Sequence, residues 1–311
     1  MVNARRQQHS SLFFAGPEDL LRQARVLVQG LGRPDLARAR LNASHVRGQH
    51  GRRRAGQGED FWQFRAYQSG DPADRIDWRR SGRGDQLYIR EREWDTAQTL
   101  YLWVDPSGSM DFSSAPKRWP AKAMLGRMMG LAAALAFLDG GERVGLLGAD
   151  MKAFAGAGAR RRLADALSAN PADNTPTLAQ LPRLQPPPGS HLLLISDHLD
   201  PPETWQAALR ALARPGVHGH GVCLLDPAEE DFPFHGRVQL RGLEGEADAL
   251  LGRADALRPT YVARLARHMA AIEDSYRGLV WRLTRQRGDK PAQAALLAII
   301  AALAGNDRQG A

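Results

Sequence analysis

From residue 99 onward, short apolar runs of strand length alternate with longer stretches whose apolar residues recur at helical spacing. Leu100 to Val104 reads as an apolar strand. Pro120 to Leu138 reads as a helix with a proline at its start and Met124, Leu125, Met128 and Leu135 on its buried side. Arg143 to Leu147 is a second strand and Arg161 to Leu167 a short helix. His191 to Ile195 is apolar throughout the run Leu192 to Ile195, as a strand covered on both faces should be. Glu203 to Ala213 is a further helix and Val217 to Leu225 a further strand. This β-α-β alternation predicts an α/β fold with a doubly wound, mostly parallel sheet and helices on both faces.

The flanks read differently. Pro17-Glu18-Asp19 opens a helix with acid in its first turn, which suits the helix dipole, and Gly30 and Gly32 end it. Gly51 to Gly58 is a basic, glycine-rich loop; no Gly-Lys-Ser/Thr follows, so it is no P-loop. Residues 59–95 are dense in aromatic and ion-pairing side chains, with a turn at Gly70-Asp71-Pro72 and a short strand at Leu87 to Ile89. After Asp226, Val238 to Leu240 reads as an edge strand, and Arg258 to Tyr276 and Pro291 to Ala304 as helices. The expected organisation is an N-terminal helical segment (1–50), a small β-rich appendage (51–98), the α/β domain (99–240) and a C-terminal helical region (241–311).

Composition narrows this little. Of the 311 residues 43% are hydrophobic and 24% charged, an ordinary globular balance. Cys223 is the one cysteine, so no disulfide forms within the chain, and its apolar surroundings make it a buried small hydrophobe. The net charge of +8 is mostly arginine; the lysines are Lys117, Lys122, Lys152 and Lys290. A codon-biased genome explains that skew more simply than phosphate recognition, although a basic chain leaves an acidic partner open. Met1 to Ser10 is polar and basic, unlike a secretory signal, and the apolar stretches fall short of the ~20 residues that span a bilayer. A cytoplasmic protein without a transmembrane segment is expected.

The chemistry gathers after the first strand of the α/β region. Asp105-Pro106-Ser107-Gly108-Ser109-Met110 follows it directly, and residues just past a parallel strand line the ligand crevice of such folds. One carboxylate and two hydroxyls suit a hard cation such as Mg²⁺, which takes oxygen ligands and keeps several waters. Asp197, after Leu192 to Ser196, reaches the same sheet edge. Between them, Asn174-Thr175-Pro176-Thr177 forms a loop whose hydroxyls can reach over. Alone, Asp-x-Ser-x-Ser is also found as a plain turn with Asp and Ser capping the backbone.

In combination, the Asp-x-Ser-x-Ser loop, the threonine loop and the late strand-end aspartate resemble the metal-ion-dependent adhesion site of von Willebrand factor A domains. The upstream segments Glu59-Asp60-Phe61, Arg65-x-Tyr67, Gly70-Asp71, Arg75-Ile76-Asp77-Trp78 and Leu87-Tyr88-Ile89-Arg90-Glu91 are similar to the signature of the bacterial domain of unknown function 58 family. The turn Asp226-Pro227-x-Glu229 resembles that family too. The resemblance implies a von Willebrand factor A-like domain with a divalent cation, Mg²⁺ ahead of Mn²⁺ or Ca²⁺. It implies Asp105, Ser107 and Ser109 as first-loop ligands, Thr175 or Thr177 as a further hydroxyl, and Asp197 as a late aspartate usually ligating through water. A carboxylate from a partner protein would complete the shell. It also implies a MoxR-type AAA+ ATPase as partner and a role in chaperone-like maturation of other proteins. The family pattern commonly has glycines before its threonine, where this chain has Asn174, and Pro176 separates the two threonines.

Enzyme readings fare less well. An aspartyl-phosphate phosphatase wants an acid two residues after its aspartate, where Ser107 stands. Neither Ser107 nor Ser109 sits in Gly-x-Ser-x-Gly. His198, beside Asp197, is a candidate base for metal-assisted hydrolysis, although a surface or core histidine is the plainer reading, and His218 and His220 read as a pair flanking a glycine turn ahead of a metal-ligating pair. Arg52, Arg53, Arg54, Arg79, Arg80 and Arg83, interleaved with Trp62, Phe64, Tyr67 and Trp78, suggest single-stranded nucleic acid, but the interspersed acids weaken the field. The expectation is a binding protein rather than an enzyme, with no nucleic-acid partner.

Overall fold

The computed structural model describes residues 16–31, 55–67, 78–82, 87–93, 98–148, 150–169, 175–243, 245 and 247–305. The chain forms two compact units, Met1–Ser44 with Gln98–Ala311, and His45–Ala97. The N-terminal and C-terminal segments, expected as regions of their own, thus share a unit with the α/β region. The helix α1 (Pro17–Gln29) belongs to that larger unit and buries Leu20, Ala24 and Leu27 in its core.

The described part of the smaller unit is mainly β-strand. Strand β1 (Ala55–Ala66) pairs antiparallel with β2 (Tyr88–Glu93), and the short helix α2 (Trp78–Ser81) lies between them in sequence. The hairpin is tied at its base by Tyr67 N–H to Leu87 carbonyl (2.8 Å) and by Tyr88 N–H to Ser81 Oγ (2.9 Å). β1 begins inside the stretch read as a basic loop, because the register opposite β2 starts at Ala55. Residues 51–54, the Gly70-Asp71-Pro72 turn and Asp74 to Asp77 lie outside the described residues.

In the larger unit the order is β3 (Thr99–Val104), α3 (Lys122–Asp139), β4 (Arg143–Leu146), β5 (Ala153–Phe154), α4 (Ala157–Ser168), β6 (Ser190–Ser196), α5 (Pro202–Leu212), β7 (His218–Leu225), α6 (Pro227–Asp231), β8 (Val238–Leu240), β9 (Ala249–Leu251), α7 (Ala254–Arg277), β10 (Arg282–Arg287) and α8 (Gln293–Gly305). The six-stranded sheet runs β10-β7-β6-β3-β4-β5, parallel except for β5 against β4. Alternation along each strand serves two cores. Leu100, Leu102 and Val104 of β3 join Leu193 and Ile195 of β6 in a core completed by α1, α3, α4 and α8. Tyr101 and Trp103, with Leu192 and Leu194, pack on the opposite face against Trp205 and Leu209 of α5 and Ile272 and Tyr276 of α7.

Helix α3 is buried nearly all round, so it carries no polar face to orient it. Its position is set by a close approach at Gly126. A Cβ there would lie 3.0 Å from Ile195 and 3.2 Å from both Val104 and Leu224. Without one, the start of α3 rests directly on the ends of β3 and β6. The helix begins at Lys122, two residues past the proline that suggested its start.

Two expectations about the C-terminal part are corrected. The region is not only helical: β10 joins the main sheet beside β7. Its sequence Arg-Leu-Thr-Arg-Gln-Arg is polar because an edge strand is partly solvated. Val238 to Leu240 is a strand, but it pairs with β9 in a separate hairpin instead of edging the main sheet.

Candidate metal centre

Strands β3 and β6 are neighbours, with Val104 opposite Ile195. The strand after β3 lies on one side of this pair and the strand after β6 on the other. The seam between them is therefore a topological switch point, whose carboxyl ends form the crevice of an open α/β sheet. Asp105 N–H donates to Ile195 carbonyl at 2.9 Å, carrying the ladder one residue past β3. Asp105 (4% exposed) and Asp197 (1%) end the two strands side by side.

The loop after Asp105 turns back on its carboxylate. Oδ1 accepts from Ser107 N–H at 2.9 Å and Oδ2 from the Ser196 hydroxyl at 2.6 Å. A 3-10 turn over Gly108–Asp111 brings Ser109 round, so that the Ser107 and Ser109 hydroxyl oxygens stand 3.1 Å apart. The Ser109 hydroxyl also hydrogen-bonds Asp197. Asp197 Oδ1 accepts from Leu199 N–H at 3.1 Å, and Oδ2 from the ammonium of Lys122 at 2.8 Å. Lys122, 2% exposed, also pairs with Glu229.

Glu229 is placed by the turn that follows β7. Asp226 caps α6: its Oδ1 accepts from Ala228 N–H at 2.8 Å, and its own N–H donates to Glu229 Oε2 at 2.8 Å. Asp226 Oδ2 accepts from Ser114 N–H (2.9 Å) and Trp119 Nε1–H (3.0 Å), which fastens the segment leading into α3 to the end of β7.

Charge is unevenly compensated. Burial pushes the Asp105 carboxyl above the usual aspartate range; hydrogen bonds from Ser196 and Ser107 oppose this, and the charge of Asp197 adds to it. For Asp197, burial also opposes ionisation, but Lys122, Ser109 and Leu199 outweigh it and hold the carboxyl below that range. Burial pulls Lys122 toward neutrality, and Asp197 and Glu229 together reverse this, leaving it firmly protonated. The Asp197–Lys122 pair is thus ionised on both sides, whereas Asp105 carries a costly negative charge.

The threonine loop is held by Trp103, whose Nε1–H donates to Pro176 carbonyl at 2.8 Å. Thr175 shares with Asp105 and Arg127 the lining of a small cavity of about 90 Å³. Thr177 instead forms a capping box with Gln180 on the 3-10 helix Leu178–Arg183. Asn174 lies outside the described residues.

The histidines stand apart from this chemistry. His198 is fully buried, stacked on Trp205 at 4.0 Å, with Nε2 2.9 Å from the Tyr276 hydroxyl; burial lowers its pKa to about 4. His218 and His220 lie within β7, flanking Gly219 inside the strand and not at a turn, and His220 Nε2 sits 2.9 Å from Thr284 Oγ1.

The donor set fits a hard cation. Cis ligands about 2.1 Å from an octahedral ion stand about 3 Å apart, the spacing of the two serine hydroxyls. Asp105 beside them has charge to offer. Among the described residues, no group of three or more His, Cys, Asp or Glu could hold an ion, so hydroxyls and water would supply much of the shell. Sequence reasoning missed Ser196 and Lys122. Ser196 had a signal, since it immediately precedes Asp197 at the strand end. Lys122 had only the oddity of a lysine opening an apolar helix.

Comparison with known proteins agrees with the upstream signature. The family described as "Protein of unknown function DUF58" matches residues 63–271. Uncharacterized proteins of Mycobacterium bovis and Mycobacterium tuberculosis are each 30% identical over 265 residues, covering 79% of this chain and 80% of theirs. Among solved structures, BatB from Bacteroides thetaiotaomicron aligns at 16% identity and a TM-score of 0.35, over 67% of this chain and 99% of that one. An aerotolerance-related membrane protein from Bacteroides fragilis aligns at 15% identity and a TM-score of 0.37, over 66% and 98%. Neither structural likeness is close enough to carry an argument. The family match takes in both strand ends that bear Asp105 and Asp197, as well as the turn that positions Glu229, and the chain belongs to the DUF58 family.

Proposed function

We propose that this chain is a divalent-cation-dependent protein-interaction module of the von Willebrand factor A type. The observation that carries the reading is the pair of hydroxyls, Ser107 and Ser109, 3.1 Å apart beside the buried Asp105 at the switch point of the sheet. Asp105, Ser107 and Ser109 would hold the cation, most simply Mg²⁺. Thr175, on the cavity that Asp105 also lines, is better placed than the capping Thr177 to add a hydroxyl. Asp197 would contribute charge at the edge of the shell. A bound cation of this kind offers an open coordination position, and a carboxylate from a partner protein fits it.

A binding role suits the site better than catalysis. His198, the nearest candidate base, is spent on Tyr276 and Trp205 inside the core. The resemblance to the DUF58 signature supports a MoxR-type AAA+ ATPase as the partner, in chaperone-like maturation of client proteins in the cytoplasm. No helix among the described residues is long and apolar enough to cross a membrane.

Calorimetric titration of the full chain with Mg²⁺ and Mn²⁺, wild type against Asp105→Ala, tests the cation. Saturable binding that disappears in the variant supports the reading. Partner capture that is indifferent to both the chelator and Asp105→Ala would sink it.

A further inference from the structure

Lys122 sits where two rules of protein electrostatics disfavour it. Removing an ammonium from water costs several kcal/mol unless it is closely paired, and Lys122 is 2% exposed. As the first residue of α3, it also places positive charge at the positive end of the helix dipole, with no acid in the first turn to offset it. Its partners come from far along the chain: Asp197 at the end of β6 and Glu229 on the turn after β7. The ammonium is thus enclosed by the same acidic centre that would receive a metal ion. It holds Asp197 Oδ2, whereas among the described residues Asp105 has only neutral hydrogen-bond donors, Ser107 N–H and the Ser196 hydroxyl.

We propose that Lys122 is a tethered counter-cation that competes with the divalent metal for Asp197 and so sets the affinity of the centre. The inference rests on the metal-binding reading above. Glu229 has a distinct part in it. Because Glu229 is a second acceptor for the ammonium, Lys122 keeps a charged partner when Asp197 is drawn toward a cation. The capping box that fixes Glu229 on Asp226 then ties the occupancy of the centre to the turn after β7. The protein can therefore hold this centre without metal, its second carboxylate neutralised from within, and fill it reversibly.

The competition predicts opposite signs for two substitutions. Lys122→Met frees Asp197 and is expected to tighten Mg²⁺ binding at least tenfold, measured by calorimetry. It should also make thermal stability metal-dependent: a Tm lowered in chelator and restored by Mg²⁺. Glu229→Gln leaves Asp197 as the only charged partner of the ammonium among the described residues and is expected to weaken Mg²⁺ binding several-fold. In an Asp197→Asn background, Lys122→Met should change the Mg²⁺ Kd by less than about twofold, because the contested carboxylate is gone.

Lys122→Met binding Mg²⁺ no tighter than wild type, with wild type binding normally, overturns the proposal and leaves the metal-binding reading standing. Equal tightening in the Asp197→Asn background overturns it in favour of a general field effect. Binding by Lys122→Met but not by wild type supports the competition and overturns the reading of a metal-loaded wild-type protein. Silence from both overturns both. Should Lys122→Met fail to fold, Glu229→Gln decides: Mg²⁺ binding equal to or tighter than wild type overturns the proposal.

Discussion

Ser196 donates its hydroxyl to Asp105 Oδ2 at 2.6 Å, across the seam between β6 and β3. The Ser196 hydroxyl oxygen in turn accepts from His198 N–H at 3.0 Å, so one fully buried side chain satisfies a carboxylate and a backbone donor together. Ser196→Ala leaves both without that partner. The expected loss is roughly 1–3 kcal/mol, read from chemical denaturation, with weaker Mg²⁺ binding because Asp105 becomes harder to ionise. An unchanged denaturation midpoint would show that water replaces the hydroxyl.

Asp105 itself should trade stability for binding. Its carboxyl is raised by burial and by the charge of Asp197. Asp105→Asn removes that charge and keeps the shape. The amide oxygen can still accept from Ser107 N–H, while its nitrogen donates to Ser196. In chelator this variant is expected to be more stable than wild type, because a buried, poorly compensated charge is gone, yet to bind no Mg²⁺. A variant less stable than wild type in chelator would mean that Asp105 is already well compensated without metal.

The two threonines separate by their surroundings. Thr175→Val is expected to weaken Mg²⁺ binding with little change in stability, because Thr175 lines the cavity beside Asp105. Thr177→Val removes a helix cap and is expected to cost about 1 kcal/mol with the Mg²⁺ affinity unchanged. Calorimetry and thermal unfolding on both variants read the two effects independently. The opposite pattern would move the threonine assignment to Thr177.

Acid stability should be lost at mildly acidic pH. Burial lowers His198 and His220 from 6.5 to about 4. Between those values the unfolded chain binds protons that the folded chain refuses. Stability is therefore full above pH 6.5 and falls as the pH drops toward 4, by at most roughly 3 kcal/mol for each histidine. The Tm profile over this window should flatten when either is replaced by glutamine. A profile identical to wild type would show that the histidine titrates normally in the fold.

Gly126→Val tests how α3 is seated. The new side chain would press on Ile195, Val104 and Leu224 directly behind the candidate centre. Overpacking of this kind costs about 1–3 kcal/mol, and the helix start that carries Lys122 would shift with it. The expected readout is a lower Tm together with altered Mg²⁺ binding. A change in Tm alone would show that the site is insulated from the helix.

The longer strands and helices between residues 99 and 225 were legible because each strand is either apolar throughout or bounded by turn residues and the helices between them are of ordinary length, whereas the two-residue β5 is too short to leave a pattern. β10 was not, since three of its six residues are arginines and an edge strand needs little apolar surface. The strand ends at Asp105 and Asp197 were legible for the same reason as the strands: a carboxylate ending an apolar run stands out. The Lys122 pairings were hidden, because the sequence separations to Asp197 and Glu229 are 75 and 107 residues and nothing local marks them. His198 follows the plainer of its two readings, a core histidine. Adjacency to Asp197 made it a candidate base, but at φ 57 the backbone turns its ring away onto Trp205.

The seating of β10 and α8 also bears on how the protein is made. Leu296, Ile299 and Leu303 of α8 complete the core that β3 and α3 begin, and β10 covers the open edge of β7. During synthesis, the part of α3 that α8 covers and the bare edge of β7 therefore stay exposed until residues near 300 have left the ribosome. Over that interval the nascent chain presents both an apolar surface and an unpaired strand, the two features most prone to aggregate. Truncation before β10 would make that interval permanent.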